Sequence, residues 1–310
     1  MSNAWQYYLL KVLSFLICLL PYKGVLLLGK ILGKLYYRIA ARQRRRALLQ
    51  IQESLGISLE AAQKHIDSLF VKLGQTFVEM LYMPSLTLDK LHQYVTIENR
   101  HFLVEAVEQG RGVVLLTAHV GNWEWLGASL AMDGFPVAAV IKRQPNDQHT
   151  RILNEYREMV GMEIFARGTT ELVSAARALK KGKILGFLAD QDAGTTGLFI
   201  EFLGKMSSTP TGPTVFAKKF KAPVVPVFMV RKPEGGHRII IHEPFYYEDT
   251  GNEVEDNYKI TVKMTNIIEN TIREYPDEWL WFQRRWNTAY SETDVKYEQS
   301  ISPERIGKQA

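Results

Sequence analysis

The sequence predicts an α/β fold in which helices cover a mostly parallel sheet, preceded by an N-terminal hydrophobic and amphipathic membrane anchor. Short apolar runs such as GVVLLT and PVVPVFMV alternate with stretches of helical spacing. Strands that alternate with helices form parallel sheets, so this order predicts the sheet. The charge distribution predicts the anchor: residues 1–52 contain 9 Lys and Arg but no Asp or Glu, and they begin with an apolar run.

Composition limits the compartment and the partners. The 310 residues, 46% of them apolar, are enough for one large domain or two small ones. A single cysteine excludes a disulfide framework and a cysteine zinc site, which fits a reducing, cytoplasm-facing compartment. The net charge of +5 comes from the first 52 residues, because the rest of the chain has 29 basic and 33 acidic residues. A basic cluster beside apolar sequence indicates anionic lipid as a partner, and not nucleic acid.

The N-terminal segment has two parts. Residues 5–20 are marginal for a membrane span, which needs roughly 20 apolar residues, so the sequence leaves open whether they cross a bilayer or dip into it. No charge precedes this run and no small-residue cleavage site follows it, which indicates that it is retained. In the second part, basic and apolar residues occupy opposite faces of a helix: Lys23, Lys30, Lys34 and Arg38 against Val25, Leu28, Leu32 and Leu35. This pattern is typical of an interfacial helix on the cytoplasmic side, or of a helix packed on the body.

The patterns divide the chain into four segments. The anchor comprises residues 1–46, and a helical region with Ser58 as an N-cap comprises residues 47–100. An α/β core is expected over residues 101–290, followed by a polar tail, residues 291–310, that is expected to be disordered. Within the core, strands are predicted at GVVLLTA, PVAAVIK, GMEIFA, ILGFLA, PVVPVFMV and RIIIHEPF, with a long loop at residues 189–212.

The stretch TAHVGNWEW places His119 at the end of a strand and Glu124 in the first turn of the next helix. Gly121 permits a sharp turn, and Asn122 is a good N-cap. In this strand-turn-helix arrangement Glu124 could hold one ring nitrogen of His119, leaving the other to accept a proton from a hydroxyl. The alternative is structural, because a helix N-terminus favours a glutamate through the helix dipole.

Other candidates follow other strands, where ligands bind in such sheets. Arg167 ends GMEIFAR and could hold a phosphate or a carboxylate, or lie on the surface. Asp190, Gln191 and Asp192 begin the long loop, and long loops in compact domains are often functional. The two aspartates could ligate a metal, as in sugar transferases, or simply form a turn.

Aromatic and basic residues are concentrated near the end of the core: Trp279, Trp281, Trp286, Arg284 and Arg285. They suit either phosphate contacts at a membrane interface or packing against the sheet. The sequence contains no H-E-x-x-H, P-loop, G-x-G-x-x-G or G-x-S-x-G motif. A zinc protease, a nucleotide-driven enzyme and a serine hydrolase are therefore not expected.

In this order, the motifs resemble those of the lipid A biosynthesis acyltransferase family, the lauroyl and myristoyl transferases of the lysophospholipid acyltransferase-like superfamily. The resemblance covers residues 10–290. It includes the N-terminal anchor, HVGNWE as the family's H-x4-D/E motif, DQ at 190 and 191, FLGKMSSTPTG, VVPVF and PDEWLWFQRRW. The H-x4-E motif alone is weak, but the ordered set is specific.

The resemblance implies a glycerolipid acyltransferase-like fold and an enzyme of the cell inner membrane, with its catalytic body on the cytoplasmic side and with no cofactor or metal. It would transfer a fatty acyl chain from acyl carrier protein to a hydroxyl of a glycolipid such as a lipid A precursor. His119 would be the general base, and Glu124 would orient it. Substrates would contact residues near the strand ends: Asn122, Arg167, Asp190 and Gln191.

Three rival functions stay open from the residues alone. A metal-dependent, membrane-associated glycosyltransferase would use Asp190 and Asp192. A membrane scaffold would have no chemistry at His119, and a lipid hydrolase would use the same base to activate water. Acyl chain length, the exact acceptor and the oligomeric state do not follow from the sequence.

Overall fold

The computed structural model of the chain describes residues 4–141, 147–166 and 169–290. Its helices are α1 (Ala4–Cys18), α2 (Tyr22–Ile39), α3 (Ala41–Leu55), α4 (Leu59–Tyr82), α5 (Leu88–Tyr94), α6 (Arg100–Glu108), α7 (Trp123–Met132), α8 (Asp147–Met159), α9 (Thr169–Lys180), α10 (Gly212–Phe220) and α11 (Glu253–Glu274). Its strands are β1 (Val95–Glu98), β2 (Val113–Thr117), β3 (Val137–Ile141), β4 (Glu163–Ala166), β5 (Ile184–Leu188), β6 (Leu198–Phe202), β7 (Lys205–Thr209), β8 (Val224–Arg231) and β9 (His237–Ile241). The polar tail of residues 291–310 lies outside the described residues.

A mostly parallel sheet forms the centre of the described chain, in the strand order β1-β9-β8-β2-β5-β3-β4. Strand β2 runs parallel to both β5 and β8, whereas β9 pairs antiparallel with β8. Alternate side chains of β2 enter two different cores: Val114 and Leu116 enter one, Val113 and Leu115 the other. Helices cover both faces, which explains why this strand is buried at every position and apolar at all but Thr117. The α/β prediction and the six predicted core strands are confirmed.

Three strands lie where none was predicted. Strand β1 follows α5 directly and adds a short parallel strand to β9 at the edge of the sheet. Within the predicted loop 189–212, β6 and β7 form an antiparallel hairpin. Leu203 and Gly204 turn this hairpin with positive φ angles of 52° and 79°, which is typical of two-residue hairpin turns. The many Gly, Ser and Thr residues flanking the hairpin concealed its period-two pattern.

Helix α2 packs on α4 through small residues rather than through its predicted apolar stripe. A Cβ atom on Gly33 would lie 2.2 Å from the carbonyl oxygen of Phe70, and one on Gly29 would lie 2.4 Å from Cα of Gln75. Of the predicted apolar face, Val25 is buried, whereas Leu32 and Leu35 are exposed, and the interfacial helix stays a prediction. The glycine contacts were not predicted, because glycine adds nothing to an apolar pattern.

No helix in the described part of the chain is long and apolar enough to cross a membrane. Helix α1 contains only 15 residues. The predicted anchor is therefore not supported as a membrane span.

Candidate active site

A tight turn after β2 presents His119 at the carboxyl edge of the sheet. Gly121 has a φ angle of 60°, and a Cβ atom there would lie 2.0 Å from the carbonyl oxygen of Met229, so only glycine fits. Asn122 caps α7 as predicted, because its side-chain oxygen accepts a hydrogen bond from the N–H of Trp125 at 3.0 Å. The strand-turn-helix prediction is confirmed.

The carboxylate at the ring of His119 belongs to Asp190, just beyond the end of the neighbouring strand β5. Nδ1 of His119 lies 2.8 Å from Oδ1 of Asp190, and the N–H of His119 donates to Oδ2 at 3.1 Å. A carboxylate can only accept, so Nδ1 carries the hydrogen and Nε2 of the neutral ring has a free lone pair. The side chain of His119 is 17% exposed, while that of Asp190 is fully buried.

Two further donors complete the surroundings of Asp190. Nε1 of Trp279 donates to Oδ2 at 2.7 Å, and Nε2 of Gln283 donates to the same oxygen at 3.0 Å. On the open side of the ring, the amide nitrogen of Gln191 lies 3.5 Å from Nε2 of His119. Gln191 thus lies beside Nε2 of His119, and its predicted contact with substrate stays a prediction.

Charge and burial act in opposite directions on this pair. Burial alone would lower the pKa of His119, but the charge and hydrogen bond of Asp190, with the charge of Glu124, raise it above its ordinary value. Burial would likewise raise the pKa of Asp190, yet His119, Gln283 and Trp279 together hold it well below the ordinary range. The aspartate is therefore ionised whenever the histidine is able to accept a proton.

Glu124 does not occupy the position expected for it. Both of its carboxylate oxygens accept from Arg157, at 2.6 and 2.8 Å, in a two-point ion pair that is almost completely buried. Burial would lower the pKa of Arg157, but Glu124 raises it. The expectation that Glu124 orients His119 through a ring nitrogen is thus corrected: Asp190 occupies that position, and Glu124 acts on the ring through its charge. Sequence reasoning missed Arg157 entirely, because nothing in its helical stretch distinguishes it.

Asn122, expected to contact substrate, is instead fully buried. Its side-chain nitrogen donates to Oε2 of Glu79 at 2.9 Å, while its oxygen caps α7. Glu79 also accepts from Arg231 at 2.8 and 2.9 Å, and it lies 3.0 Å from Nε2 of His237. Asn122 therefore holds the turn to a buried polar cluster beneath the site.

Comparison with known proteins identifies the family to which this site belongs. The family model described as bacterial lipid A biosynthesis acyltransferase matches residues 1–288. The chain belongs to this family. It is an acyltransferase.

Individual relatives cover most of the acyltransferase. The phosphatidylinositol mannoside acyltransferase of Mycolicibacterium smegmatis is 26% identical over 214 residues, 67% of each chain. The lipid A biosynthesis palmitoleoyltransferase of Escherichia coli is 27% identical over 237 residues, 74% of each chain. A lipid A biosynthesis acyltransferase of Haemophilus influenzae is 24% identical over 301 residues, 94% of this chain and 91% of the relative.

The other candidates for the site fare differently. Arg167 lies outside the described residues. Asp192 accepts hydrogen bonds from the N–H and hydroxyl groups of Thr288, at 3.2 and 2.8 Å, and from the N–H of Gly194 at 3.2 Å. Both aspartates of the DQD sequence are thus engaged by protein donors. Within residues 4–141, 147–166 and 169–290, no group of three or more His, Cys, Asp or Glu side chains is placed to hold a metal ion.

The aromatic and basic C-terminal segment packs inside the acyltransferase. Trp279 and Trp281 are fully buried, and Arg285 is 1% exposed. The guanidinium of Arg285 donates to the carbonyl oxygen of Ser208 at 2.5 Å and to the hydroxyl of Thr209 at 2.7 Å. Burial lowers the pKa of Arg285 to about 10. Of the two interpretations of this segment, packing against the sheet is confirmed for these three residues.

Proposed function

We propose that this acyltransferase moves a fatty acyl chain from a thioester of acyl carrier protein to a hydroxyl of a glycolipid such as a lipid A precursor. One observation carries the proposal. A partly exposed histidine at the carboxyl edge of the sheet has Nδ1 occupied by the buried carboxylate of Asp190 and has Nε2 turned to the open side. A base held in this way suits transfer to a hydroxyl, which must lose its proton as it attacks.

The chemistry follows from the two ring nitrogens. Nε2 of His119 accepts the proton of the acceptor hydroxyl while its oxygen attacks the thioester carbonyl carbon. The carbon–sulfur bond then breaks, and the imidazolium returns the proton to the leaving thiolate. Asp190 stabilises the imidazolium through Nδ1, and the charge of Glu124 favours the same form. Gln191, beside Nε2, is positioned to contact the acceptor.

The acceptor class is proposed from the relatives. Some of the matched relatives are named for lipid A biosynthesis, and others are named as phosphatidylinositol mannoside acyltransferases. Both kinds of acceptor are glycolipids. A sugar hydroxyl on an anionic lipid is therefore the acceptor class proposed for this chain.

We further propose that the N-terminal helices hold the enzyme on the cytoplasmic face of the inner membrane. Large apolar side chains are exposed along α1, α2 and the turn between them, among them Trp5, Phe15, Leu19, Leu27 and Ile39. Exposed apolar surface of this kind is typical of membrane or protein interaction sites. The same segment carries an uninterrupted excess of positive charge through residue 52, which favours anionic headgroups.

Mass spectrometry of lipid products tests the reaction. Membranes carrying the wild-type protein, His119→Ala or His92→Ala are incubated with acyl carrier protein thioester and a lipid A precursor. We expect a mass gain of one acyl chain with the wild type and with His92→Ala, and its loss with His119→Ala. His92 is a matched control, because it also contacts an aspartate, Asp133 at 3.4 Å, but is 57% exposed. A folded wild-type protein that acylates no glycolipid acceptor would contradict the proposal.

Vesicle flotation tests the membrane contact. The purified protein should float with vesicles containing anionic lipid and should remain below with purely zwitterionic vesicles at moderate salt. The double variant Lys30→Glu, Lys34→Glu changes two exposed residues of α2 and should weaken flotation. Flotation of this variant with anionic vesicles as complete as that of the wild type would contradict an electrostatic contribution.

A further inference from the structure

A buried segment near the end of the described chain reaches the catalytic pair directly. It follows α11, and Trp279 forms an antiparallel bridge with Val120, the residue after His119. The carbonyl of Glu278 accepts the N–H of Gly121 at 2.9 Å. The turn that presents the histidine and the segment that contains Trp279 are therefore joined backbone to backbone.

Side chains of the N-terminal helices hold this segment in place. Lys72 on α4 forms ion pairs with Asp277 at 2.8 Å and with Glu278 at 2.6 Å. On α3, Arg46 donates to the carbonyl oxygen of Phe282 at 3.1 Å, and Gln50 donates to that of Gln283 at 3.2 Å. The backbone that carries Trp279 and Gln283 is consequently fixed from outside the site.

The hydrogen bonds at Asp190 divide between its two oxygens. Oδ1 accepts from Nδ1 of His119, whereas Oδ2 accepts from Trp279, Gln283 and the N–H of His119. A carboxylate rotates about one bond, so fixing Oδ2 in this way also fixes the direction of Oδ1. Both added donors are neutral, so they orient the carboxylate without cancelling the charge that His119 uses.

Stability alone does not explain the hydrogen bonding of the Gln283 side chain. Its Oε1 atom is buried and finds no donor among the described residues. Leaving a buried acceptor unpaired costs stability. The NH2 group of this amide forms the hydrogen bond, and it donates to Asp190.

We propose that Trp279 and Gln283 are positioning residues of the catalytic pair: they fix the Asp190 carboxylate so that one of its oxygens is directed at Nδ1 of His119. The inference rests on the proposed role of His119 as the base. Neither residue touches a substrate in this role. Loss of either donor frees the carboxylate to turn, and His119 then loses the hydrogen bond that keeps its proton on Nδ1.

The chain contains a matched control for Trp279. Trp281 is two residues away, equally buried, and its indole Nε1 donates to the carbonyl oxygen of Pro276 at 2.6 Å instead of to Asp190. Trp279→Phe and Trp281→Phe each remove one indole and one buried hydrogen bond. The two rings also pack edge to face at 4.8 Å, but only the first substitution removes a hydrogen bond to Asp190.

The experiment compares kcat and the tautomer of His119 in the wild type, Trp279→Phe, Gln283→Met and Trp281→Phe. We expect kcat to fall about 10- to 100-fold in Trp279→Phe and in Gln283→Met, which is the effect of losing one hydrogen bond to a charged group, with KM nearly unchanged. Nitrogen-15 spectra of histidine-labelled protein should show neutral His119 protonated at Nδ1 in the wild type and a mixture of tautomers in these two variants. Trp281→Phe should keep kcat within about twofold of the wild type and keep the tautomer.

Equal losses of kcat in the two tryptophan variants, with the Nδ1 tautomer retained in both, would overturn the proposal. Gln283→Met provides the same test if Trp279→Phe does not fold. The tautomer measurement needs no substrate, so it separates the two proposals. A wild type without acyl transfer would remove the proposed function, while an unchanged tautomer in Trp279→Phe and Gln283→Met would remove the positioning role.

Discussion

Two histidine–carboxylate contacts, one partly exposed and one fully buried, lie on either side of the Asn122 turn, and they have opposite electrostatic character. At the site, Asp190 contacts His119 and neutral donors, and the pKa of His119 is raised. Beneath it, Glu79 contacts His237 at a similar distance but also forms an ion pair with Arg231. Burial, together with the charge of Arg231, lowers the pKa of His237 despite Glu79. Of these two histidines, the one whose contacting carboxylate forms no ion pair with a guanidinium has the raised pKa.

The comparison separates function from stability. The negative charge of Asp190 stabilises the protonated form of His119, and this suits a base. Glu79 is held by Arg231, His237, Tyr22 and Asn122 at once, and its pKa is kept well below the ordinary range by Arg231 and His237 although burial would raise it. That cluster connects α2, α4, β8, β9 and the cap of α7, so its role is structural.

The largest effect is expected at the catalytic pair. In Asp190→Asn, the side-chain oxygen can still accept from Trp279 and Gln283, which places the amide NH2 group against Nδ1 of His119. Nδ1 must then accept, the proton moves to Nε2, and the base is lost. We expect kcat to fall about 10²–10⁴-fold, measured as product formed by mass spectrometry.

The same substitution should change stability little. The buried guanidinium of Arg285 loses the charge of Asp190 but keeps that of Asp192, so we expect the free energy of unfolding at pH 8 to drop by about 1 kcal/mol. Urea unfolding in detergent, followed by tryptophan fluorescence, provides this measurement. A loss of stability as large as the loss of activity would contradict the division of roles.

The reverse result is expected at the structural pair. Glu79→Gln keeps the shape of the side chain but leaves the buried guanidinium of Arg231 without its counter-charge. We expect the free energy of unfolding to fall by about 3–5 kcal/mol, measured by the same urea titration. If Glu79→Gln is no less stable than Asp190→Asn, Glu79 is not the centre of the buried cluster.

The two histidines should titrate on opposite sides of their ordinary pKa of 6.5. For His119, whose pKa is raised, the stabilising contribution is complete below pH 6.5 and is lost as the pH rises through the folded-state pKa. For His237, whose pKa is lowered, folding loses stability as the pH falls from 6.5 to the folded-state pKa.

Histidine NMR titration measures both values, with His119→Ala used to assign one signal. With the neutral form of His119 proposed as the base, kcat/KM should rise with pH through a midpoint above 6.5. A midpoint below that of a free histidine would show that Asp190 does not stabilise the imidazolium.

The smallest effect is expected where α2 joins the cluster. The Tyr22 hydroxyl donates to Oε1 of Glu79 at 2.6 Å, but Arg231 contacts both oxygens and Asn122 keeps Oε2. We expect Tyr22→Phe to lower the free energy of unfolding by about 1.5 kcal/mol and to leave kcat within about twofold. A tenfold loss of kcat without further destabilisation would show that α2 positions the turn more directly.

The features that the sequence predicted correctly depend on residues that are close together in the chain. The apolar run before His119, the glycine of the turn and the Asn122 cap are all adjacent in sequence, and each was found as predicted. The partner of His119 is 71 residues away, and that of Asn122 is 43 residues away. Their contacts depend on which strands are neighbours in the sheet. The alternation of strands and helices in the sequence does not determine that order. With β5 known to lie beside β2, Asp190 would have been the expected partner.

The glycines between α2 and α4 fix the position of α2 on the body of the protein. Because backbone touches backbone at Gly29, Gly33 and Gly74, α2 cannot slide or roll on α4 without a clash. The exposed face of α2 therefore keeps one tilt and one height relative to His119. On a bilayer bound through that face, regioselectivity would be a matter of reach: the acylated hydroxyl would be the one whose distance from the lipid tails equals the fixed height of Nε2.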